Sequence, residues 1–133
     1  MVTEKITLIR ISRNSNKNVN SNLQWFSNTL GLFTERDKEK SCFRVFLEIL
    51  KVQKTHKGIS SEQISIRSNL SRPTVVHHLN TLSSRGLIIS ENNRYFLRVK
   101  NLDELVDLIK SDTIEVLKDL KKTAKDLDDE LGL

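Results

Sequence analysis

The chain has 133 residues, of which 29% are charged, and its 22 Lys and Arg residues against 17 Asp and Glu residues give a net charge of +5. This length suits one domain with appendages and is sufficient to bury a core. The single cysteine excludes an internal disulfide and a cysteine-based zinc site. No apolar run reaches the roughly 20 residues of a membrane span, and the start has no long apolar segment typical of a secretory signal. We therefore expect a cytoplasmic protein.

Residues 1–34 are predicted to form an N-terminal extension in three parts. The alternation of apolar and polar residues in KITLIRIS (5–12) indicates a possible short strand. The Asn- and Ser-rich segment RNSNKNVNSN (13–22) is typical of a flexible linker. Residues 23–32 favour a short helix that carries Trp25 and Phe26 and ends at Gly31. Its aromatic side chains would pack either on the domain's own core or on a partner.

Two helices are predicted next. From residue 35 to about residue 54, apolar residues recur at three- and four-residue steps, and Gly58 follows as a stop. The stripe of this first helix comprises Phe43, Phe46, Leu47 and Leu50, and three further residues broaden it: Val45, Ile49 and Val52. Ser60 with Gln63 three residues later is a capping box, which starts a short second helix with Ile64 facing inward and an end near residues 67–69.

The segment from residue 71 to residue 86 is predicted to be a third helix. Ser71 is a favourable N-cap, Pro73 falls in the first turn, and Gly86 is a typical C-terminal stop. Its apolar residues step by four and three along one face: Val75, Leu79 and Leu82. The short NLS turn before it (69–71) gives the spacing of a helix-turn-helix.

A β-hairpin is predicted after the third helix. LIIS (87–90) and RYFLRV (94–99) are rich in β-formers, and the turn-forming cluster ENN (91–93) separates them. Three helices followed by a hairpin predict a mainly α fold with a small β-hairpin wing, a winged helix-turn-helix over residues 35–100.

The segment GISSEQISIRSNLSRPTVVHHLNTLSSRGLI followed by RYFLR resembles the winged helix-turn-helix domains of prokaryotic transcriptional regulators of the ArsR and MarR type. Archaeal members are the most similar in style, and the resemblance covers about half of the chain. It implies a DNA-binding domain in which the second helix of the helix-turn-helix, residues 71–86, enters the major groove. Arsenic- and metal-sensing members of that family use paired cysteines, so thiolate metal sensing is not implied for this chain, and a small-molecule effector stays unknown.

With Val75, Leu79 and Leu82 facing the core, the polar residues near the start of helix 71–86 should face a nucleic acid. Residues 36–100 also carry thirteen Lys and Arg against five Asp and Glu, which favours a polyanionic partner. Arginine can pair with guanine, hydroxyl groups suit phosphate oxygens, and valine can contact a thymine methyl group. The candidate contact residues on this helix are Ser71, Arg72, Thr74, Val76, His77 and Asn80.

The hairpin tip supplies the remaining candidates, Asn93 and Arg94, which could approach the minor groove or a phosphate. The alternative is a solvated polar turn. Arg85, which precedes Gly86, is expected to contact the nucleic-acid backbone or to cap the helix.

Neither a metal site nor a catalytic site is predicted. His77 and His78 point about 100° apart on one helix, whereas metal-binding pairs are usually four residues apart. His78 is expected to be a partly buried structural residue beside Val75. The sequence contains no glycine-rich phosphate loop and no nucleophile with an evident base, so we expect no enzyme activity and no cofactor.

Residues 101–133 are predicted to be a helical segment with a role in dimerisation. Asn101 can cap a helix from Leu102, and Ser111 with Asp112 could mark a break. Residues spaced as in a heptad seam then follow: Thr113, Leu117, Leu120, Ala124, Leu127 and Leu131. This acidic segment, with five Lys against ten Asp and Glu, would pack either on a second copy or on the protein's own body.

Taken together, these patterns predict sequence-specific binding of double-stranded DNA by a homodimeric transcriptional regulator. Two other functions fit the same residues. A winged helix can serve as a protein–protein adaptor, and the basic face could bind RNA.

Overall fold

The computed structural model describes residue 8, residues 18–32 and residues 40–133. The chain divides into two compact units, residues 1–100 and residues 101–133. The described part is mainly helical with one small antiparallel hairpin, as the sequence predicts. None of its helices combines the length and the apolar character that crossing a bilayer requires. The strand predicted at residues 5–12 lies outside the described residues except for Leu8, whose side chain is exposed.

Helix α1 (Val19–Thr29) begins earlier than the sequence predicts. Asn18 is its N-cap: the Asn18 side chain accepts the Ser21 N–H at 2.7 Å, and the Asn18 N–H donates to the Ser21 hydroxyl at 3.2 Å. Residues 19–22 are therefore helical, and the prediction of a linker up to residue 22 is wrong there. Asn and Ser are common in linkers and are also the best capping residues, so composition alone could not separate the two.

Helix α2 (Ser41–Val52) continues into a 3₁₀ turn at Gln53–Thr55. Its most deeply buried side chains are Val45, Phe46 and Ile49. Leu47 and Leu50, which the sequence assigns to the stripe, are only half-buried. The buried face therefore lies within the predicted stripe, but it is centred on Val45 and Ile49, which were predicted only to broaden it. Residues 35–39 of this predicted helix lie outside the described residues.

Helices α3 (Ser61–Ser68) and α4 (Arg72–Ser84) follow one another across a short turn. The capping box of α3 is present as predicted, since Ser60 and Gln63 exchange hydrogen bonds of 3.1 and 3.2 Å. Asn69 reverses the chain in the left-handed region at φ 56°. Both helices pack on α2 and on each other. Ile64, Val75, Leu79 and Leu82 fill the space between them without exposed surface.

Strands β1 (Ile88–Glu91) and β2 (Arg94–Leu97) pair in an antiparallel register that aligns Ile88 with Leu97 and Glu91 with Arg94. Asn92 and Asn93 both have positive φ, 52° and 60°, which is the conformation of a two-residue type I′ turn. Ile59 forms an isolated bridge with Tyr95 on the free side of β2, through bonds of 3.2 and 2.8 Å. The hairpin is therefore extended by one residue of the segment that leads into α3.

Gly58 should not tolerate a side chain. Its φ is +69°, and a Cβ there would lie 2.6 Å from Cζ of Phe96. We expect Gly58→Ala to lower the free energy of unfolding by about 2–3 kcal/mol, from left-handed strain and displacement of the Phe96 ring. Thermal or urea denaturation measures the change. Gly132→Ala is the matched control, because φ there is +71° but the Cβ would meet nothing within 4 Å. Equal, small losses in the two variants would contradict the close contact with Phe96.

Helix α5 (Leu102–Leu131) is continuous. Asn101 is the predicted N-cap and accepts the Glu104 N–H at 2.9 Å. The break expected at Ser111 and Asp112 is wrong. Neither residue favours a helix interior, but each disfavours it by less than about 1 kcal/mol, which a long helix tolerates.

Candidate nucleic-acid interface

The orientation of α4 is fixed at both of its ends. Ser71 accepts the Thr74 N–H at 3.3 Å and so caps the first turn. At the other end, Gly86 adopts φ 76°, its N–H donates to Ser83 O at 3.0 Å, and the Leu87 N–H donates to Leu82 O at 3.0 Å. This is a Schellman motif, in which glycine is favoured. Since Val75 and Leu79 have no exposed surface, only one face of α4 can meet a partner.

Four of the predicted contact residues lie exposed within the first two and a half turns of α4. All four side chains are exposed: Arg72, Val76, His77 and Asn80. Pro73 is exposed between them and was not among the predicted contacts. At about 100° per residue, Pro73, His77 and Asn80 share one line along the helix, opposite the core residues. The spacing of Val75, Leu79 and Leu82 in the sequence was therefore sufficient to predict that Pro73 lies on this line.

Ser71 and Thr74 are less available than the sequence suggests. The Ser71 hydroxyl donates to the Thr74 hydroxyl oxygen at 2.8 Å and accepts the Thr74 N–H, so its principal role is capping. Pro73 has no N–H, which leaves Arg72 as the one residue of the first turn with an N–H to offer a phosphate. Thr74 is half-buried on the edge of the face. The chemistry of this helix end therefore depends chiefly on Arg72.

The two histidines of α4 differ in environment. His77 is exposed, whereas His78 is half-buried and its Nε2 lies 2.7 Å from the Ser41 hydroxyl at the start of α2. Their rings are 5.2 Å apart in an edge-to-face arrangement. The expected structural role of His78 is supported by this contact. In the part of the chain that the structure describes, no three His, Cys, Asp or Glu side chains lie close enough to hold a metal ion.

The hairpin tip forms a second polar cluster. Asn92 and Asn93 are exposed at the turn. The Arg94 guanidinium is exposed but donates to Gly58 O at 3.1 Å and to Lys57 O at 3.4 Å. Arg94 therefore ties the hairpin to the loop before α3 and brings Lys57 beside the tip. To contact a phosphate with the same nitrogen, Arg94 would have to share or leave these carbonyl groups.

Several basic side chains that contribute to the charge of residues 36–100 stabilise the fold instead of facing solvent. Arg44 donates to Ser68 O at the end of α3, Arg85 donates to Gly31 O at 3.0 Å, and Arg98 lies 3.5 Å from Gly86 O. Each satisfies a carbonyl at a helix end. The expectation that Arg85 caps its own helix is wrong, because it caps the end of α1, and its contact with nucleic acid stays a prediction.

Within residues 40–100, four cationic side chains are exposed and make no hydrogen bond or ion pair with the residues that the structure describes. They are Lys54, Lys57, Arg67 and Arg72. Only Arg72 was predicted as a contact. Lys54 and Lys57 belong to the basic run KTHK before Gly58, and Arg67 lies in the last turn of α3. Helix α4 itself contains no Asp or Glu, so no carboxylate opposes an anion along its outer face.

Comparison of the chain with protein-family models, with curated proteins and with solved structures gives no significant match.

Proposed function

We propose that this chain is a winged-helix protein that binds double-stranded DNA and acts as a transcriptional regulator, with α4 entering the major groove. The observation that carries the proposal is the composition of the exposed surface in the N-terminal half of α4. Arg72, Val76, His77 and Asn80 are exposed there, at the N-terminal end that a recognition helix inserts. These side chains match the donors, acceptors and methyl groups of base edges.

The topology supports a winged helix. Helices α2, α3 and α4 are followed directly by the hairpin β1–β2, and Ile59 pairs with β2 in the position of a third strand. The hairpin would then be the wing. Its tip at Asn93, with Lys57 nearby through the Arg94 hydrogen bonds, offers a contact to the DNA backbone beside the major groove.

A band-shift assay with a pool of random duplexes tests the proposal. We expect the duplexes to be retained when excess single-stranded RNA is added. Displacement by RNA would instead indicate an RNA-binding module, and no retention of either nucleic acid would favour a protein adaptor. Selection and sequencing of the retained duplexes would then define the target.

Arg72→Ala is expected to weaken binding to the best selected site by about 1–3 kcal/mol if Arg72 contacts a base, and to relax the preference at one position. Competition binding against a random duplex measures both effects. Lys125→Ala is the control, since it removes the same charge from an exposed residue of α5. An equal loss on all sequences would make Arg72 a phosphate contact, and an unchanged affinity would remove it from the interface.

A further inference from the structure

Helix α5 carries a long, mainly apolar stripe, called here the C-terminal seam: Thr113, Leu117, Leu120, Ala124, Leu127 and Leu131. Thr113 is half-buried and the other five residues are exposed. Because α5 is one uninterrupted helix, the alternating four- and three-residue steps place all six residues on one side. The exposed fractions of the four leucines range from 48% at Leu127 to 69% at Leu131. Ile114 and Val116, also exposed, widen the apolar surface near the start of the seam.

We propose that the C-terminal seam binds a second copy of this chain as a parallel, in-register coiled coil. In this register every seam residue meets the same residue of the second copy, so the leucines form four layers of their own, with Thr113 and Ala124 as the two smaller layers. An apolar repeat of 3.5 residues is the pattern that keeps two helices in contact along their length. The surface is therefore complementary to itself.

The charges beside the seam do not oppose this register. In the heptad numbering of a coiled coil, Leu117 and Ala124 are a positions, and the residue before an a position is a g position. In a parallel coil, each g residue lies close to the e residue five places further along the other helix. This places Val116 beside Lys121 of the second copy and Thr123 beside Asp128 of the second copy. Neither pair joins like charges. Lys118 and Glu115, which form an ion pair of 3.5 Å, lie on the outer side of the helix.

The antiparallel registers are less favourable. The register that aligns the whole seam places Lys121 next to Lys121 of the second copy, where like charges repel. A shifted register would pair Lys121 with Asp128 twice, but it leaves Thr113 and Leu117 opposite no residue of the seam. An exposed ion pair contributes little compared with the burial of a leucine, so the shift does not compensate for the lost layers.

Cysteine cross-linking of the full chain without DNA tests the proposal independently of DNA binding. Thr113→Cys and Leu131→Cys are made separately and oxidised at tens of micromolar. Parallel copies bring the cysteines of one variant within disulfide reach, whereas whole-seam antiparallel copies hold them about 27 Å apart. Glu115→Cys on the outer side is the control, and the parent controls for Cys42, which is buried.

We expect each of the two seam variants to form covalent dimer at least about tenfold faster than Glu115→Cys. Adding Leu120→Glu, which changes an exposed side chain, should reduce the rate to that of the control. Covalent dimer that forms only when Thr113→Cys and Leu131→Cys are mixed would establish antiparallel pairing and overturn the proposal. Rates no higher than that of Glu115→Cys would overturn it as well, in favour of a different partner for the seam.

Discussion

Raising the salt concentration from about 50 to about 200 mM is expected to weaken duplex binding by on the order of 100-fold for each copy of the chain. Each phosphate that a cation neutralises contributes about −0.9 to the slope of log affinity against log salt. Lys54, Lys57, Arg67 and Arg72 are the exposed cations of residues 40–100 whose side chains make no bond to the described residues, so we expect a slope of about −3.6 per copy. Fluorescence anisotropy at a series of salt concentrations measures it.

The double variant Lys54→Ala/Lys57→Ala should reduce the slope by about two, whereas Lys122→Ala/Lys125→Ala on α5 should leave it unchanged. A dimer bound to two half-sites would double the slope of the parent. Binding that is indifferent to salt would contradict the DNA interface altogether. A slope of about −7 from a single copy would show that arginines such as Arg44 and Arg85 leave their carbonyl partners on binding.

Leu79→Ala is expected to lower the free energy of unfolding by roughly 3–4 kcal/mol. Leu79 has no exposed surface and lies on the side of α4 that packs against α2 and α3, so its truncation leaves a cavity that rigid neighbouring helices cannot close. Urea denaturation followed by circular dichroism gives the value. The change is a large fraction of the stability of a small domain.

Asn80→Ala provides the matched control, because Asn80 is the next residue of the same helix and is exposed. A change within about 0.5 kcal/mol is expected there. If Leu79→Ala unfolds at the same urea concentration as the parent, the orientation of α4 is wrong, and the proposed set of base contacts is wrong with it. The effects on DNA affinity should be reversed. At urea concentrations well below the unfolding transition, Asn80→Ala should weaken DNA binding more than Leu79→Ala does.

Local sequence features predict most of the helix ends. The capping box at Ser60, the cap at Ser71 and the cap at Asn101 each need only residues within one turn, and all three are present. The hairpin turn is also local, since two asparagines tolerate the positive φ that a type I′ turn requires. These features succeed because the sequence contains both partners of each interaction at a fixed spacing.

Interactions between distant residues were not predictable. Nothing near Arg85 in the sequence indicates that its acceptor is Gly31 O, and nothing near Arg44 indicates Ser68 O. Counting charges therefore overstated the cations available to a polyanion. The outer face of α4 was predictable, because the core periodicity of Val75, Leu79 and Leu82 fixes which residues lie opposite. The grouping of Lys57 with Arg94 was not, because it depends on how the hairpin meets the loop before α3.

The bond between Arg85 and Gly31 O joins residues 54 positions apart, and this separation has a consequence during synthesis. At about 5–20 residues per second, a ribosome needs roughly 3–10 s to deliver Arg85 after Gly31 has been made. Throughout that interval, the carbonyl group of Gly31 lacks its Arg85 donor. Leu30 and Leu32, which follow α1, also have no complete core against which to pack. The start of α1 is rich in Asn and Ser, and these polar side chains favour solubility of the segment until it can pack on the rest of the protein.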